Sequence, residues 1–336
     1  MSKKTVNQHY ISQFYLNNFS INKQKQIKGF DLQEDKFIKL TSIKKQASEK
    51  FYYGEDNVIE NKLQLMETKQ APLIKKILER ILPKRNSLEE RELFQLFALT
   101  HIRNPIIVDY FSNLVHGTNN QSVYKILGKN SLEVHAKIIG FKHLDLITNF
   151  LIDLDYKVLV NKTSNSFITS DVPVVRYNKH FQHLSYNFDT IAYSIVGFKM
   201  FLPISADLCL VLFDSETYKI GNKKEKFVQL SFKKDIDQIN LLQVLNCKSK
   251  LYFNENITEA YIRGLIALSR NERYTNQSKS PLKKGKNLVA ERSINISMDI
   301  SCIKIHSNAR KITNSDSIPL RKKAVKNAII VDPLGS

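Results

Sequence analysis

The chain opens on NQHYISQFYLNNF, residues 7–19, where amide side chains and a histidine stand among aromatic and aliphatic residues. Such polar groups are costly to bury unless each finds a hydrogen-bond partner. If residues 9–19 form a helix, His9 and Gln13 share a face at i, i+4, and Gln13 can hydrogen-bond the ring or a ligand. Because imidazole titrates nearest neutral pH, His9 is a candidate general acid or base. The alternative is a structural histidine.

Two further charges fall on predicted helices. The apolar spacing over residues 58–82 predicts a helix with Glu67 at the edge of its apolar stripe, where a carboxylate needs a partner or a raised pKa. A second predicted helix ends in ALTHIRNP, residues 98–105, and is apolar on nearly every side. A buried Arg103 demands an anion, which is a structural carboxylate, Glu67 or Asp171, or a bound phosphate.

A third candidate position lies in FITSDVPV, residues 167–174, where an apolar strand ends in Thr169, Ser170 and Asp171. An acidic residue at a strand end is well placed for metal ligation or general-base work, because the strand holds it in place. We therefore assign Asp171 and Glu67 to one Mg²⁺ or Mn²⁺ ion, and Thr169 and Ser170 to substrate binding. The alternative is an Asx-turn, in which Asp171 bonds its own backbone.

These positions require elements that hold them. Alternating runs predict a β-hairpin at residues 25–42, and Ser87–Glu90 is a capping box that starts the second helix. From residue 155 onward, β-branched and aromatic runs predict strands too closely spaced for helical crossovers, and helical spacing returns over residues 236–270. The predicted fold is α+β, with a helix-rich N-terminal half packed against a mainly antiparallel sheet from the second half.

The chain has 336 residues and a formal net charge of +19, most of it from lysine. This charge indicates either a solvated lysine-rich surface or a polyanion partner such as nucleic acid. Residues 276–336 hold 12 basic and four acidic residues and no aromatic residue. We predict one α+β domain over residues 1–275 and a basic, loosely structured tail over residues 276–336.

The sequence lacks the signature motifs of several functional classes of protein. The sequence has no phosphate-binding GxxxxGK[ST] loop, no GxGxxG after a strand, no HExxH and no GxSxG. The three cysteines have no zinc-ligand spacing and form no even disulfide framework. The N-terminus lacks a signal-peptide pattern and no run of about 18 apolar residues occurs. We expect a cytoplasmic protein without a membrane span or a disulfide-linked partner.

Five stretches together resemble a bacterial protein family, domain of unknown function 4238, over roughly residues 6–275. The stretches are NQHYISQFYLNNF, EKFYYGED, QLMETKQAPLIKKI, LTHIRNP and FITSDVPVV. The family has a Gln-His element near its start, an Arg-x-Pro after a buried helix, and a later Thr-Ser-Asp-x-Pro. This chain departs from the family at Ser12, where proline is common, and at Asn104, where threonine is common. We expect both departures to alter local packing more than the site.

The resemblance implies that five scattered side chains converge on one site: His9, Gln13, Glu67, Arg103 and Asp171. From these residues we formulate a first hypothesis, a metal-dependent phosphodiester hydrolase acting on RNA or DNA. In it, the two acids bind metal, His9 is the acid or base, and Arg103 holds phosphate or a carboxylate. The scattered bacterial family suggests a toxin or phage-defence effector.

The second hypothesis is a non-enzymatic module that binds nucleic acid or a nucleotide, in which the polar cluster is a buried structural network. A third is a protein-interaction or scaffold role with merely solubilising lysines. A pure polyanion binder gains nothing from carboxylates in its cleft, so the environments of Glu67 and Asp171 discriminate between the first two. The sequence leaves enzymatic activity undecided.

Overall fold

Our computed structural model describes residues 5–106, 137, 140–181, 190–278, 296–309, 311–312 and 319–329. In chain order the α-helices are α1 Gln13–Leu16, α2 Val58–Leu78, α3 Leu88–Ile102, α4 Leu144–Leu151, α5 Lys233–Asn246, α6 Glu259–Ser278 and α7 Lys322–Ile329. The strands are β1 Asn7–His9, β2 Gln26–Asp31, β3 Lys36–Ser42, β4 Ser48–Lys50, β5 Asp155–Asn161, β6 Thr169–Ser170, β7 Val175–Tyr177, β8 Lys199–Pro203, β9 Leu208–Phe213, β10 Tyr218–Ile220, β11 Phe227–Leu230, β12 Lys250–Phe253 and β13 Ile303–Ile305.

A five-stranded sheet of order β11-β5-β9-β8-β7 forms the centre of the fold. Its pairs are antiparallel except β11 with β5. All six residues of β9 are buried, because both faces of the sheet are covered. One face packs with α1 to α4, through residues such as Leu210. The opposite face packs with α5 and with Met298, through residues such as Val211. A strand covered on both faces is continuously apolar rather than alternating.

A four-stranded sheet of order β3-β2-β12-β6 connects distant parts of the sequence. The hairpin of β2 and β3 pairs through β12 with β6, which ends immediately before Asp171. Gly29 of β2 lies opposite Tyr252, and a Cβ at Gly29 would come within 2.8 Å of the Leu251 carbonyl oxygen. The close approach of β2 to β12 therefore requires glycine at this position.

The predicted placement of helices in the N-terminal half is wrong, although the α+β class is correct. Strands β1 to β4 all lie in the first 50 residues, and α4 to α7 all follow residue 143. The stretch over residues 236–270 also contains β12, between α5 and α6. A four-residue buried strand is too short to show a period of its own, so its apolar residues joined the helical pattern around it.

Predictions from short sequence motifs were more accurate than the predicted placement of the helices. The hairpin over residues 25–42 is present as β2 and β3. Helix α3 begins after Ser87, whose Oγ accepts a 3.1 Å hydrogen bond from the Glu90 backbone N–H, and Arg103 caps its C-terminus. These signals lie within three or four residues of the feature that they specify.

The described residues after 295 pack against the rest of the chain. Strand β13 pairs antiparallel with β10, and α7 packs on α4, where Arg321 forms a 2.7 Å ion pair with Asp153. The domain boundary after residue 275 stays a prediction. Within the described ranges, no helix has the length and apolar character needed to cross a bilayer, and the three cysteines are free.

Candidate functional site

The opening segment forms a short ribbon rather than a helix at His9. Strand β1 pairs antiparallel with β4, with His9 opposite Ser48, and α1 begins only at Gln13. Gln8 points inward: its Nε2 donates to the Gly54 carbonyl at 2.9 Å and its Oε1 accepts from the Tyr53 backbone N–H at 2.5 Å. This buried amide is therefore satisfied, and it holds the loop before α2 against the ribbon.

Arg103 lies at the centre of a buried polar network. Its Nε donates to the Tyr53 hydroxyl at 3.1 Å, and its Nη1 donates to Ser12 Oγ at 3.0 Å and to Glu67 Oε1 at 2.8 Å. Its Nη2 donates to the His9 carbonyl at 2.5 Å. The Arg103 side chain is only 4% exposed, whereas that of Glu67 is 26% exposed. Of the three anions considered for Arg103, namely Glu67, Asp171 and a bound phosphate, the structure pairs it with Glu67.

Electrostatics keep the Arg103 guanidinium ionised. Burial lowers the pKa of Arg103, but Tyr53 and Glu67 favour the cation more strongly, so the pKa is raised overall. Burial raises the pKa of the Tyr53 hydroxyl to about 12, although Arg103 opposes the shift. Near neutral pH, Tyr53 is therefore a neutral hydroxyl and Arg103 a permanent cation that Glu67 neutralises.

Ser12 belongs to this network, whereas we expected its departure from the family to alter local packing more than the site. Its hydroxyl donates to Glu67 Oε1 at 2.7 Å while accepting from Arg103. Proline at this position would supply no hydroxyl. Sequence reasoning missed Ser12 and Tyr53 as members of the network, although both stand in the stretches that carry the family resemblance.

The His9 ring lies at the margin of the network. Its Nε2 donates to the Lys44 carbonyl oxygen at 3.2 Å, which places the proton of the neutral ring on Nε2 and leaves a lone pair on Nδ1. Burial lowers the pKa of His9, the hydrogen bond to Lys44 opposes that shift, and the Arg103 cation adds to it. The half-buried imidazole is therefore neutral near pH 7 and can accept a proton at Nδ1.

Asp171 has its hydrogen-bond partners outside the Arg103 network. It is fully buried, and its oxygens accept hydrogen bonds from the backbone N–H groups of Lys248, Ser249 and Lys250 at 2.6–3.0 Å and from Ser249 Oγ at 2.8 Å. The carboxylate thereby fixes the turn between α5 and β12. Its partners lie 77 to 79 residues away, so it forms no Asx-turn with its own backbone.

Thr169 and Ser170 are also fully buried. Thr169 Oγ1 lies 2.8 Å from the Tyr15 hydroxyl, and Ser170 Oγ donates to Gln243 Oε1 at 3.0 Å. Gln13, in contrast, is exposed at the first position of α1. The structure thus brings His9, Glu67 and Arg103 together, while the contacts of Asp171, Thr169 and Ser170 are with α1, α5 and β12.

These contacts do not fit the expected metal site. A carboxylate has about four lone-pair sites, and Asp171 accepts four hydrogen bonds from residues 248–250. Glu67 Oε1 is shared by Ser12 and Arg103. Among the described residues, no group of three or more His, Cys, Asp or Glu side chains could hold a metal ion. The metal site stays a prediction, and we derive no chemical step through it.

An exposed group of lysines lies beside His9. This lysine cluster consists of Lys25, Lys44, Lys45 and Lys50, all exposed. Lys44 supplies the carbonyl bonded by His9, the Lys25 carbonyl accepts from the backbone of residue 43 at 3.0 Å, and Lys50 pairs with β1. None of the four forms an ion pair with a described residue. Sequence reasoning did not single out these four lysines, because nothing local shows that the segments around residues 25, 44 and 50 come together in the fold.

Comparison with known proteins gives one result. The pattern of a family described as protein of unknown function, DUF4238, matches residues 7–256. No curated protein and no solved structure matches the chain. The family match includes the Arg103 network, the lysine cluster and Asp171, and it ends before α6.

Proposed function

This chain belongs to the protein family of unknown function DUF4238, and on that premise we propose that it binds nucleic acid through the lysine cluster beside His9. The observation that carries the proposal is the group of four exposed lysines without ion pairs, on segments whose backbones contact His9, residue 43 and β1. Lysine contacts phosphate as a solvated point charge and reads no base sequence. We therefore expect strong, salt-dependent and largely sequence-independent binding.

The buried networks support binding rather than metal chemistry. Glu67 neutralises Arg103, and Asp171 fixes a turn, so neither carboxylate repels a polyanion from an open cleft. The Arg103 network ties α1, α2 and α3 to the loop that carries Tyr53. A fully satisfied polar network of this kind makes the local structure rigid. Because Arg103 also binds the His9 carbonyl, the network fixes strand β1, which pairs with the strand that carries Lys50.

The test measures binding to labelled RNA, single-stranded DNA and duplex DNA over a range of salt concentrations. We expect the K44Q/K45Q variant to bind more weakly and to reduce the slope of log affinity against log salt by about two. The matched control is K69Q/K76Q, which removes the same charge from α2, where both lysines already pair with glutamates at 3.5 and 2.7 Å.

The control should keep most of the wild-type slope. An equal loss in both variants would show that net charge alone drives association, and the lysine cluster would then have no special role. Wild-type binding that does not change with salt would contradict the proposal directly.

Phosphodiester hydrolysis is the second candidate, and the environment of His9 favours it. A neutral, half-buried imidazole with a lone pair on Nδ1 lies beside the lysines that would hold phosphate. The same substrates are followed for cleavage with Mg²⁺, with Mn²⁺ and with chelator, using H9A and, as control, H143A at an exposed histidine. Cleavage lost only in H9A would support hydrolysis, and intact substrate in wild type would leave a binding module.

In this proposal the protein works in a bacterial cytoplasm. Hydrolysis would suit the toxin or phage-defence role that the family resemblance suggests. Simple binding carries no such implication.

A further inference from the structure

A buried lysine that does not belong to the lysine cluster lines a cavity of about 170 Å³. Lys199, at the start of β8, is 1% exposed, and its Nζ lies 3.3 Å from the centroid of the Tyr218 ring and 5.3 Å from that of Tyr177. An ammonium removed from water needs an anion or hydrogen-bond acceptors to remain charged. In the described part of the chain, Lys199 Nζ has neither.

Two other buried lysines show what a satisfied buried ammonium looks like in this protein. Lys157 donates to the carbonyl oxygens of Asn222, Lys223 and Glu225. Lys137 donates to the Tyr52 carbonyl at 2.5 Å and lies over the Tyr52 ring. Lys199 has the aromatic contact without any acceptor. Lys199 is thus a buried amine without the acceptor that the other two buried lysines have.

The carboxylates near Lys199 interact with other groups. Asp214 accepts hydrogen bonds from the Gly197 backbone N–H at 2.7 Å and from Thr217 Oγ1 at 2.7 Å, and it thereby stabilises the turn after β9. Asp299, on the cavity rim, lies 3.4 Å from Lys179. Four charged residues line the cavity. The charges of Lys179 and Asp299 neutralise each other, so Lys199 and the exposed Lys304 have no opposite charge among the lining residues.

Apart from two tyrosines, the uncharged residues that line the cavity are apolar. Phe201, Met298 and Ile300 are all buried and line it. The segment that carries residues 298 and 300 is anchored to the fold: the Met298 backbone N–H donates to the Tyr177 hydroxyl at 2.9 Å, and the backbone N–H of Ser301 donates to Asp235 at 2.9 Å. This segment lies outside the family match, which ends at residue 256.

We propose that this cavity is a binding site for a small organic carboxylate, whose anionic group pairs with the Lys199 ammonium and whose apolar body contacts Phe201, Met298 and Ile300. The volume sets the size, because a cavity of about 150 Å³ accommodates benzene. The ligand class is therefore a carboxylate on an aromatic or short aliphatic body, such as benzoate. The site is separate from the lysine cluster and does not depend on nucleic-acid binding.

Binding of the anion would change the protonation of the lysine. Burial, with a smaller contribution from Lys179, lowers the pKa of Lys199 well below its ordinary value, while Asp214 opposes this shift. A carboxylate beside Nζ favours the charged form. Binding of a carboxylate is therefore expected to take up a proton from solution, whereas binding of a neutral molecule is not.

Calorimetric titration of the full chain with benzoate and with benzamide, a neutral molecule of similar shape, tests the proposal. We expect benzoate to bind wild type about tenfold or more tightly than benzamide, because a hydrogen bond between charged groups is lost with the amide. K199M should lose this preference. K157M is the matched control, since it removes a buried lysine from the same sheet outside the cavity, and it should keep the preference.

A measurement on wild type keeps the test decisive if K199M does not fold. Titrations in two buffers of different ionisation enthalpy, repeated at several pH values up to about 10, the ordinary pKa of lysine, count the protons taken up with benzoate, and we expect net uptake above the lowered folded pKa. Equal affinity for benzoate and benzamide, binding without proton uptake, or no binding of benzoate by wild type would each overturn the proposal. So would an unchanged benzoate affinity in folded K199M.

Discussion

Arg103 and Glu67, from helices that are separate in sequence, form a 2.8 Å ion pair in which the guanidinium is buried and the carboxylate reaches the surface. The arginine therefore depends on the glutamate for charge neutralisation, while water shares in solvating the glutamate. This asymmetry makes the network more sensitive to loss of the carboxylate's charge than an exposed ion pair would be.

Replacement of Glu67 by glutamine should destabilise the fold by about 1–3 kcal/mol, because it leaves Arg103 as a buried cation without a counter-charge. Urea unfolding near neutral pH measures the change. Glu89→Gln is the matched control: its ion pair with Lys76 is exposed on both sides and should contribute about 0–1 kcal/mol. Equal losses in the two variants would contradict the dependence of Arg103 on Glu67.

Replacement of Asp171 by asparagine should cost about 3 kcal/mol or more, because an amide nitrogen would face backbone N–H groups that now donate to the carboxylate. The exposed Asp207 provides the control, and Asp207→Asn should be nearly neutral. The loss for Asp171→Asn should be the same with Mg²⁺ and with chelator. A loss seen only with Mg²⁺ present would instead favour a metal ligand at this position.

The pH dependence of stability should include a contribution from His9. Burial lowers the pKa of folded His9, so below about pH 6.5, the ordinary value for histidine, the unfolded chain binds more protons than the folded chain. The contribution of His9 is therefore fully present above pH 6.5 and is lost as the pH falls through the folded pKa.

Urea unfolding between pH 7.5 and 5 tests this contribution. Wild type should lose stability more steeply than His9→Gln as the pH falls. His143→Gln, at an exposed position, should follow the wild-type curve. Parallel curves for wild type and His9→Gln would show that the buried environment of His9 does not affect its titration.

Two glycines should respond in opposite ways to alanine. Gly29→Ala should destabilise the protein by about 1–3 kcal/mol, because its Cβ would lie 2.8 Å from the backbone oxygen of Leu251. Gly264→Ala should stabilise it by about 0.5–1 kcal/mol, since Gly264 is exposed within α6 and a Cβ there meets nothing within 4 Å. Thermal unfolding measures both, and a stabilising Gly29→Ala would contradict the close approach of β2 to β12.

Features specified by near neighbours in sequence were predictable. The capping of α3 by Ser87 involves a residue three positions away, and the hairpin of β2 and β3 follows from alternation and a short turn. The need of Arg103 for an anion also followed from its apolar sequence neighbours, because an unpaired buried charge is unfavourable whichever residue supplies the counter-charge. The sequence alone thus determined that Arg103 needs an anion, and it limited the candidates to Glu67, Asp171 and a bound phosphate.

Only the tertiary structure decided which residues form hydrogen bonds with Arg103 and Asp171. Ser12 meets Arg103 across 91 positions and Asp171 meets Ser249 across 78, and no periodicity links residues so far apart. The short strand β12 sits between two helices in sequence and pairs with β2 and β6 only through the packing of the whole chain. In the described part of the chain, Lys199 Nζ has no hydrogen-bond acceptor beside it, and this too follows from which distant residues pack around the cavity. Long-range packing decides which side chains meet, and a sequence window of a few turns carries no information about it.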